Sequence, residues 1–456
     1  MAHPSDKARR PRDEIPQRRA ARTAKLASLP LGVAGRATMG LGKRMTGKSA
    51  DEVNAELQAK TAEQLFAVLG ELKGGAMKLG QALSVFEAAL PEDSAAPYRE
   101  ALTKLQEAAP PMPQATVHRV LDEQFGKRWT ERFQDFDETP AAAASIGQVH
   151  KAVWGDGRIV AVKLQYPGAG TALMADLTQL SRMAWLFGRV SPGLDVKPLL
   201  AEIRERVLED LDYTLEAQSQ RAFAKAFEHD PDIAVPRVVA SSPKAIVSEW
   251  MDGTQLSAVI ANGSQAERDS AGSKMALLHY SAPARAKMLH ADPHPGNFRL
   301  LSDGRLGVID FGAVARLENG YPRGLGRLTR LAVNNDPEGV LTLMRELGFV
   351  RAGVKLEAQE VMDLLGAAVD PLREPSFTFS REWMRRQAAR LADPRNAEAR
   401  VGRYLNLPPS YMLIHRVTLG SIGVLCQLGA TAPYRELAER WQPGFADETA
   451  EPDLEA

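Results

Sequence analysis

Near residue 141 the apolar period of this chain changes from helical to strand-like, and that change limits its fold more than any other feature. Ser145-Ile-Gly-Gln-Val-His-Lys-Ala-Val-Trp154 and Arg158-Ile-Val-Ala-Val-Lys-Leu-Gln165 are β-rich runs flanking Gly155-Asp-Gly157, which reads as a hairpin turn. Pro236-Arg-Val-Val239 and Ala245-Ile-Val-Ser-Glu-Trp250 predict two further strands, the second closed by Met251-Asp-Gly253. Residues 171–228 carry helical spacing, as does the chain after 253 apart from a loop-rich stretch at 290–311. Strands first and helices later predict an α+β, two-lobe order.

The flanking regions fill in the organisation. In 49–109, Leu57, Leu65, Val68 and Leu72 recur as one apolar helix face would require. Pro110, Pro111 and Pro113 mark a linker, and a short helix follows from 114, ending near Gly126, with a connecting segment to 137. The expected division is a basic tail (1–48), a helical extension (49–113) and a β-rich N-lobe with inserted helices (114–252). A helical C-lobe (253–440) and an acidic tail (441–456) complete it. The basic tail reads either as a solvated arm or as a contact with anionic lipid, where each Lys or Arg contributes about 1 kcal/mol.

Charge excludes little but points away from nucleic acid: Lys+Arg and Asp+Glu both total 57 in 456 residues. The single cysteine, Cys426, can form no internal disulfide. No apolar segment follows the charged N-terminus as a secretory signal would require. The apolar window at 417–430 is interrupted by Ser421 and Gln427 and is shorter than the roughly 18 residues of a membrane span, so a buried core helix is expected.

Three segments carry chemistry. Lys163 ends Val160-Ala-Val-Lys163, where an ammonium facing a core needs a partner. It is either a lysine on a surface strand or one that holds phosphate oxygens, as in the kinase signature Val-Ala-Ile-Lys. In Asp292-Pro-His-Pro-Gly-Asn297 two prolines hold the polar residues in a rigid non-helical loop. Their spacing matches a kinase catalytic loop. Gly307-Val-Ile-Asp310-Phe-Gly312 is an apolar run ending in the magnesium-binding Asp-Phe-Gly, and a carboxylate is a hard ligand suited to Mg²⁺ shared with phosphates. Each signal is weak alone, but their order makes coincidence improbable. In Leu208-Glu-Asp-Leu-Asp-Tyr-Thr-Leu-Glu216, helical spacing places 209, 212, 213 and 216 on one face. That acidic face is either solvated or a partner for Lys163.

The chain resembles the UbiB/AarF/ADCK family of atypical protein-kinase-like proteins. The resemblance rests on Lys78-Leu-Gly-Gln81, Ala141-Ala-Ala-Ala-Ser-Ile-Gly-Gln-Val-His150, Asp210-Leu-Asp212-Tyr-Thr-Leu-Glu216, and the 292–297 and 310–312 segments. It implies a two-lobe protein-kinase-like fold with a family-specific N-terminal helical extension. It implies that Lys163 is the phosphate lysine and Glu216 its helix partner, that Asp292 is the catalytic aspartate, and that Asn297 and Asp310 bind Mg²⁺. Ala143, Ala144, Ser145, Ile146, Gly147 and Val149 would cover the phosphates of ATP or ADP, and Glu249 and Met251 would lie in the hinge beside the adenine. Lys78 and Gln81 would fold over the active site and contact Asp210 and Asp212, where the family usually has Glu-x-Asp.

Alanines replace the usual glycines of the phosphate-covering loop, and Ala-Pro-Glu is absent after Asp310. Both features favour ATP hydrolysis or a small or lipid-like acceptor over protein phosphorylation. The resemblance further implies isoprenoid-quinone or lipid metabolism, a quinone precursor as partner, and a cytoplasmic site with peripheral membrane contact. Rival readings are a nucleotide-binding pseudokinase chaperone and a small-molecule phosphotransferase. A zinc hydrolase built on His290, Asp292 and His294 is disfavoured, because Pro293 and Pro295 oppose the helix it would need.

Overall fold

A computed structural model describes residues 111–144, 146–171, 174, 208, 211–392, 396–402 and 404–446. The basic tail, nearly all of the extension with Lys78 and Gln81, and Ser145, Glu209 and Asp210 lie outside the described residues.

Among the described residues the N-lobe is built on one antiparallel sheet with a helix packed on each face. Helix α1 (Gln114–Phe125) ends at Gly126, whose φ is 84°. Its buried residues Val117, Val120 and Leu121 keep the three- and four-residue spacing of a single face. The sheet runs β1 (Phe133–Ala144), β2 (Gly147–Trp154), β3 (Ile159–Gln165), β6 (Ala245–Glu249), β5 (Val238–Ser242) in spatial order. Alternation on β3 does the sorting. Val160, Val162 and Leu164 join α1 in one cluster, so Lys163 points to the opposite face. Helix α2 (Tyr213–Ala226) covers that face, burying Tyr213, Glu216, Ala217 and Phe223.

Several expectations need correction here. The segment before 141, expected as a connection, is strand β1, and three of the four alanines are paired backbone: Ala142 faces Val149, Ala143 faces Gln148 and Ala144 faces Gly147. The acidic segment is not one helical face, because α2 begins at Tyr213. Asp212 is its N-cap, its carboxylate accepting from Thr214 N at 2.9 Å and Thr214 Oγ1 at 2.6 Å. The N-lobe core begins two residues early: Met112 is buried, and its N–H donates to Gln148 Oε1 at 2.7 Å. The C-lobe likewise runs past 440, since Trp441 and Phe445 are buried.

In the C-lobe, helix α3 (Leu256–Asn262) precedes helix α4 (Gln265–Arg285), which opens with a Ser264–Glu267 capping box. The expected loop region at 290–311 instead holds the short strands β9 (Phe298–Leu300) and β10 (Leu306–Val308), and it is flanked by β8 (Met288–His290) and β11 (Val314–Arg316). β9 and β10 pair with each other within a sheet ordered β4 (Ile233–Ala234), β10, β9, β7 (Thr254–Gln255), and β8 pairs with β11. Helices α5 (Arg323–Val333), α6 (Pro337–Glu346), α7 (Ala358–Arg373), α8 (Arg381–Ala392), α9 (Ala397–Gly402), α10 (Pro409–Leu428) and α11 (Tyr434–Trp441) follow. Helix α10 is long and apolar enough to cross a membrane by length and composition. Its Val424, Leu425 and Leu428 lie in the main C-lobe core with α4.

Candidate active site

One ammonium joins two carboxylates at the meeting of the lobes. Lys163 Nζ donates to Glu216 Oε1 at 2.7 Å and to Asp310 Oδ2 at 3.0 Å. Strand, helix and the Asp-Phe-Gly loop thus meet in one cluster, with Lys163 14%, Glu216 6% and Asp310 24% exposed. Little exposure means little screening, so the charges decide one another's protonation. Burial alone would lower the Lys163 ammonium, but Asp310 and Glu216 hold it well above its usual value. Burial also opposes ionisation of Asp310, yet Lys163 and the Gly312 N–H pull it down to about 2. For Glu216 burial wins, and its carboxyl is raised.

Tyr213, to which the sequence pattern assigns no role of its own, joins this cluster. Its ring lies 5.1 Å from Lys163 Nζ, a cation–π distance. Its hydroxyl is buried with no hydrogen-bond partner among the described residues. Burial pushes the phenol up, so it stays neutral. The only sequence signal was its place at the first position of the helix that carries Glu216.

Beside it the β1–β2 hairpin closes down on the sheet. Ile146 is buried against Tyr213 and Ala217, and its carbonyl accepts from Tyr166 N at 2.9 Å. Gly147 has no room for a side chain: a Cβ would sit 2.1 Å from the Leu164 carbonyl oxygen and 3.0 Å from the Tyr213 hydroxyl. Gln148 and His150 point inward, Nε2 to Nε2 at 2.7 Å, and His150 Nδ1 lies 2.8 Å from the Asp137 carbonyl. They belong to the N-lobe core.

The residues of the 292–297 loop are held by backbone. Asn297 Nδ2 donates to the Asp292 carbonyl at 3.1 Å, which leaves the amide oxygen as the atom available to a ligand. His290 Nε2 lies 2.7 Å from the Asp310 carbonyl, and burial lowers its pKa, so a neutral imidazole donates there. Asp310 is fixed at both ends, since its Oδ1 accepts from Gly312 N at 2.9 Å. Residues 295–297 form a 3-10 turn, with His294 Nδ1 accepting from Gly296 N at 3.1 Å. Among the described residues no three His, Cys, Asp or Glu side chains are arranged to hold a metal, and the zinc-hydrolase geometry is not formed. Asp310 and Asn297 offer hard oxygens in too small a number for an all-protein cage. That donor set fits Mg²⁺ completed by phosphates and water.

At the back of the cleft, the Glu249 carboxylate meets Arg158 at 3.4 Å and accepts from Arg237 N at 3.1 Å. Met251 packs over Gly307, where a Cβ would lie 2.2 Å from its Sδ.

The family follows from comparison. The ABC1 atypical kinase-like domain matches residues 104–344, over half of the chain. The chain belongs to that family. Among its relatives, atypical kinase coq-8, mitochondrial, of Caenorhabditis elegans is 30% identical over 74% of this chain and 46% of its own length. Atypical kinase COQ8, mitochondrial, of Saccharomyces cerevisiae is 28% identical over 79% of this chain and 72% of its own length. A Mycobacterium tuberculosis protein solved in complex with erythromycin is 48% identical. It covers 88% of this chain, which spans all of it, at a TM-score of 0.68. The α+β kinase-like fold of the ABC1 family is therefore that of this chain.

Proposed function

We propose that this ABC1-family chain binds ATP or ADP with Mg²⁺ between its lobes, and hydrolyses ATP or passes its terminal phosphoryl group to a small or lipid-like acceptor. The observation that carries this reading is the Lys163–Glu216–Asp310 cluster, which brings together residues 53 and 147 positions apart in sequence. When bound, Mg²⁺ would neutralise phosphate charge as the terminal phosphoryl group departs.

The residues divide the work by their chemistry. Lys163 is held by Glu216 and can turn its ammonium from Asp310 to phosphate oxygens. Asp310 and the Asn297 amide oxygen would hold the metal. Asp292, partly exposed beside this pair, would orient the attacking water or hydroxyl. The hairpin carrying Ala143, Ala144, Ser145, Ile146, Gly147 and Val149 would cover the phosphates. Met251 has no backbone hydrogen-bond partner among the described residues, and its N–H and carbonyl suit the adenine edge, with Glu249 fixing the strand before it. Lys78, Gln81 and Asp210 keep a regulatory role on resemblance alone. Asp212 is committed to capping α2. Quinone or other isoprenoid-lipid metabolism, with a quinone precursor as partner and peripheral membrane contact from the cytoplasm, is proposed on the same ground.

Asp310→Asn should abolish Mg-ATP turnover while the protein stays folded. Unchanged ATPase activity in that variant would refute the site. A second reading has one observation behind it, the erythromycin complex of the relative. Calorimetric titration of erythromycin tests whether this chain takes a macrolide, and absence of saturable heat removes that reading.

A further inference from the structure

The β1–β2 hairpin beside the Lys163 cluster is tied down from behind. Side chains alternate along β2: Val149 pairs with Lys163, whereas Gln148 pairs with Leu164, which lies in the α1 cluster. Gln148 and His150 are therefore buried on the α1 side of the sheet. There they join three segments through one chain of hydrogen bonds. The N–H of Met112, in the linker ahead of α1, donates to Gln148 Oε1 at 2.7 Å. Gln148 Nε2 lies 2.7 Å from His150 Nε2, and His150 Nδ1 lies 2.8 Å from the Asp137 carbonyl of β1.

The direction of this chain is fixed at one end. A backbone N–H can only donate, so the Gln148 amide turns its oxygen to Met112 and its N–H to His150. His150 Nε2 must then accept, and Nδ1–H donates to Asp137. Only the neutral imidazole satisfies every member. A second proton on the ring would set two donors face to face, and flipping the Gln148 amide would move that conflict to Met112. Burial lowers the His150 pKa, against the Asp137 carbonyl and the Glu138 and Asp137 carboxylates of β1, which raise it. From α1, His118 pairs with Glu138 at 2.8 Å. The β3 residues on this side, Val160, Val162 and Leu164, carry no charge.

The chain ends where the hairpin's own ladder is weakest. β1 slips register between Phe136 and Pro140, and Pro140, opposite His150, has no N–H to give. The Asp137 carbonyl lies inside that slip and receives the imidazole instead. Phe136 stacks on the same ring, with centroids 5.0 Å apart. We infer that Gln148 is a positioning residue for the nucleotide: through His150 it fixes the hairpin to the linker, and so sets the height of Gly147 and Val149 over the phosphates. This role rests on the nucleotide reading above, and it makes the seat of the linker at Met112 an input to nucleotide affinity.

The test is steady-state Mg-ATP turnover by the full chain across a range of pH. Gln148→Leu removes both bonds and should raise the KM for ATP about 5- to 10-fold, with kcat held within about two-fold. Gln148→Glu is the rescue. Its carboxylate accepts from Met112 N–H and from a doubly protonated His150, so below neutral pH its KM should lie within about two-fold of the wild type. The pH response should also reverse. The wild-type KM rises towards acid, as His150 gains a proton, and the Gln148→Glu KM rises towards alkali, as His150 loses one. Val120→Ala, a core truncation on α1 outside the chain, should lower the melting temperature without moving KM. The role is overturned by any of four results: an unchanged KM in Gln148→Leu, an equal rise in Val120→Ala, no rescue by Gln148→Glu, or one pH profile shared by Gln148→Glu and the wild type. With the wild type active and Asp310→Asn inactive, those results remove this role alone. A wild type that neither binds nor hydrolyses Mg-ATP removes the nucleotide reading and this role together.

Discussion

Lys163 carries one positive charge between two carboxylates, so the fully ionised cluster has a net negative charge and invites a further cation. The structure resolves the imbalance unevenly, holding Asp310 low while burial raises Glu216. Lys163→Met would leave both carboxylates facing each other with no counter-charge. We expect it to cost about 3 kcal/mol in urea unfolding, together with loss of ATP binding. These residues were legible because a strand lysine, a helix glutamate and an Asp-Phe-Gly can meet in few ways. Tyr213 and Asp212 were not. An aromatic at a helix start has many uses, and a cap residue shares the spacing of a face residue until the helix boundary is known. His279 is a residue whose role is invisible in sequence. Burial beside α10 lowers its pKa to about 4, and its Nε2 lies 3.4 Å from Thr418 Oγ1. The unfolded chain therefore takes up the proton first, and stability falls as pH drops from the unfolded value near 6.5 towards 4. His279→Gln should remove that part of the acid slope, at most ~3 kcal/mol, in melting temperatures measured across this range.

Helix α2 begins where Asp212 receives the Thr214 N–H, and its start fixes how Glu216 approaches Lys163. Asp212→Ala should cost about 1 kcal/mol of unfolding free energy, and Asp212→Asn far less, because an amide oxygen caps nearly as well. Equal losses in the two variants would mean that the carboxylate charge matters more than the cap. The strands β2 and β3 could be read from their alternation, since each buries one face, and β6 from its short apolar run. β1 could not. It is largely exposed along its length, contains Pro140, and slips register between Phe136 and Ala142. With little to bury, it leaves no period-2 signal, and its identity comes from pairing with β2 alone. Beside it, Gly147→Ala would force a methyl group into the Leu164 carbonyl. The hairpin must then lift from β3, which should lower the melting temperature and raise the KM for ATP together.

The two-lobe order was legible because strand and helix periods occupy different parts of the chain, whereas a C-lobe groove lined by residues from Ala284 to Pro443 was not, since only folding assembles it. The same holds for the contact that secures α2 to the C-lobe. Arg285, the last residue of α4, donates from Nη1 to Asp230 Oδ2 at 2.6 Å and from Nη2 to the Ala226 carbonyl at 3.0 Å. Its guanidinium also lies 4.1 Å from the Phe227 ring centroid. Asp230 Oδ1 in turn accepts from the N–H groups of Asp232 and Ile233, the latter opening β4. Helix α2 is thus held at its far end by the C-lobe and, through Glu216, by Lys163 of the N-lobe. A helix gripped from both sides transmits any change in lobe spacing to the lysine. Arg285→Ala would strand the buried Asp230 and should cost about 3–5 kcal/mol, the range for a broken buried pair. If the clamp also positions Glu216, ATP affinity should fall at temperatures well below the melting transition. Arg285→Lys, which keeps the charge but not the two-pronged grip, should recover more stability than affinity. Equal recovery of both by lysine would show that the charge alone matters, and that α2 is set in place by its packing against the sheet.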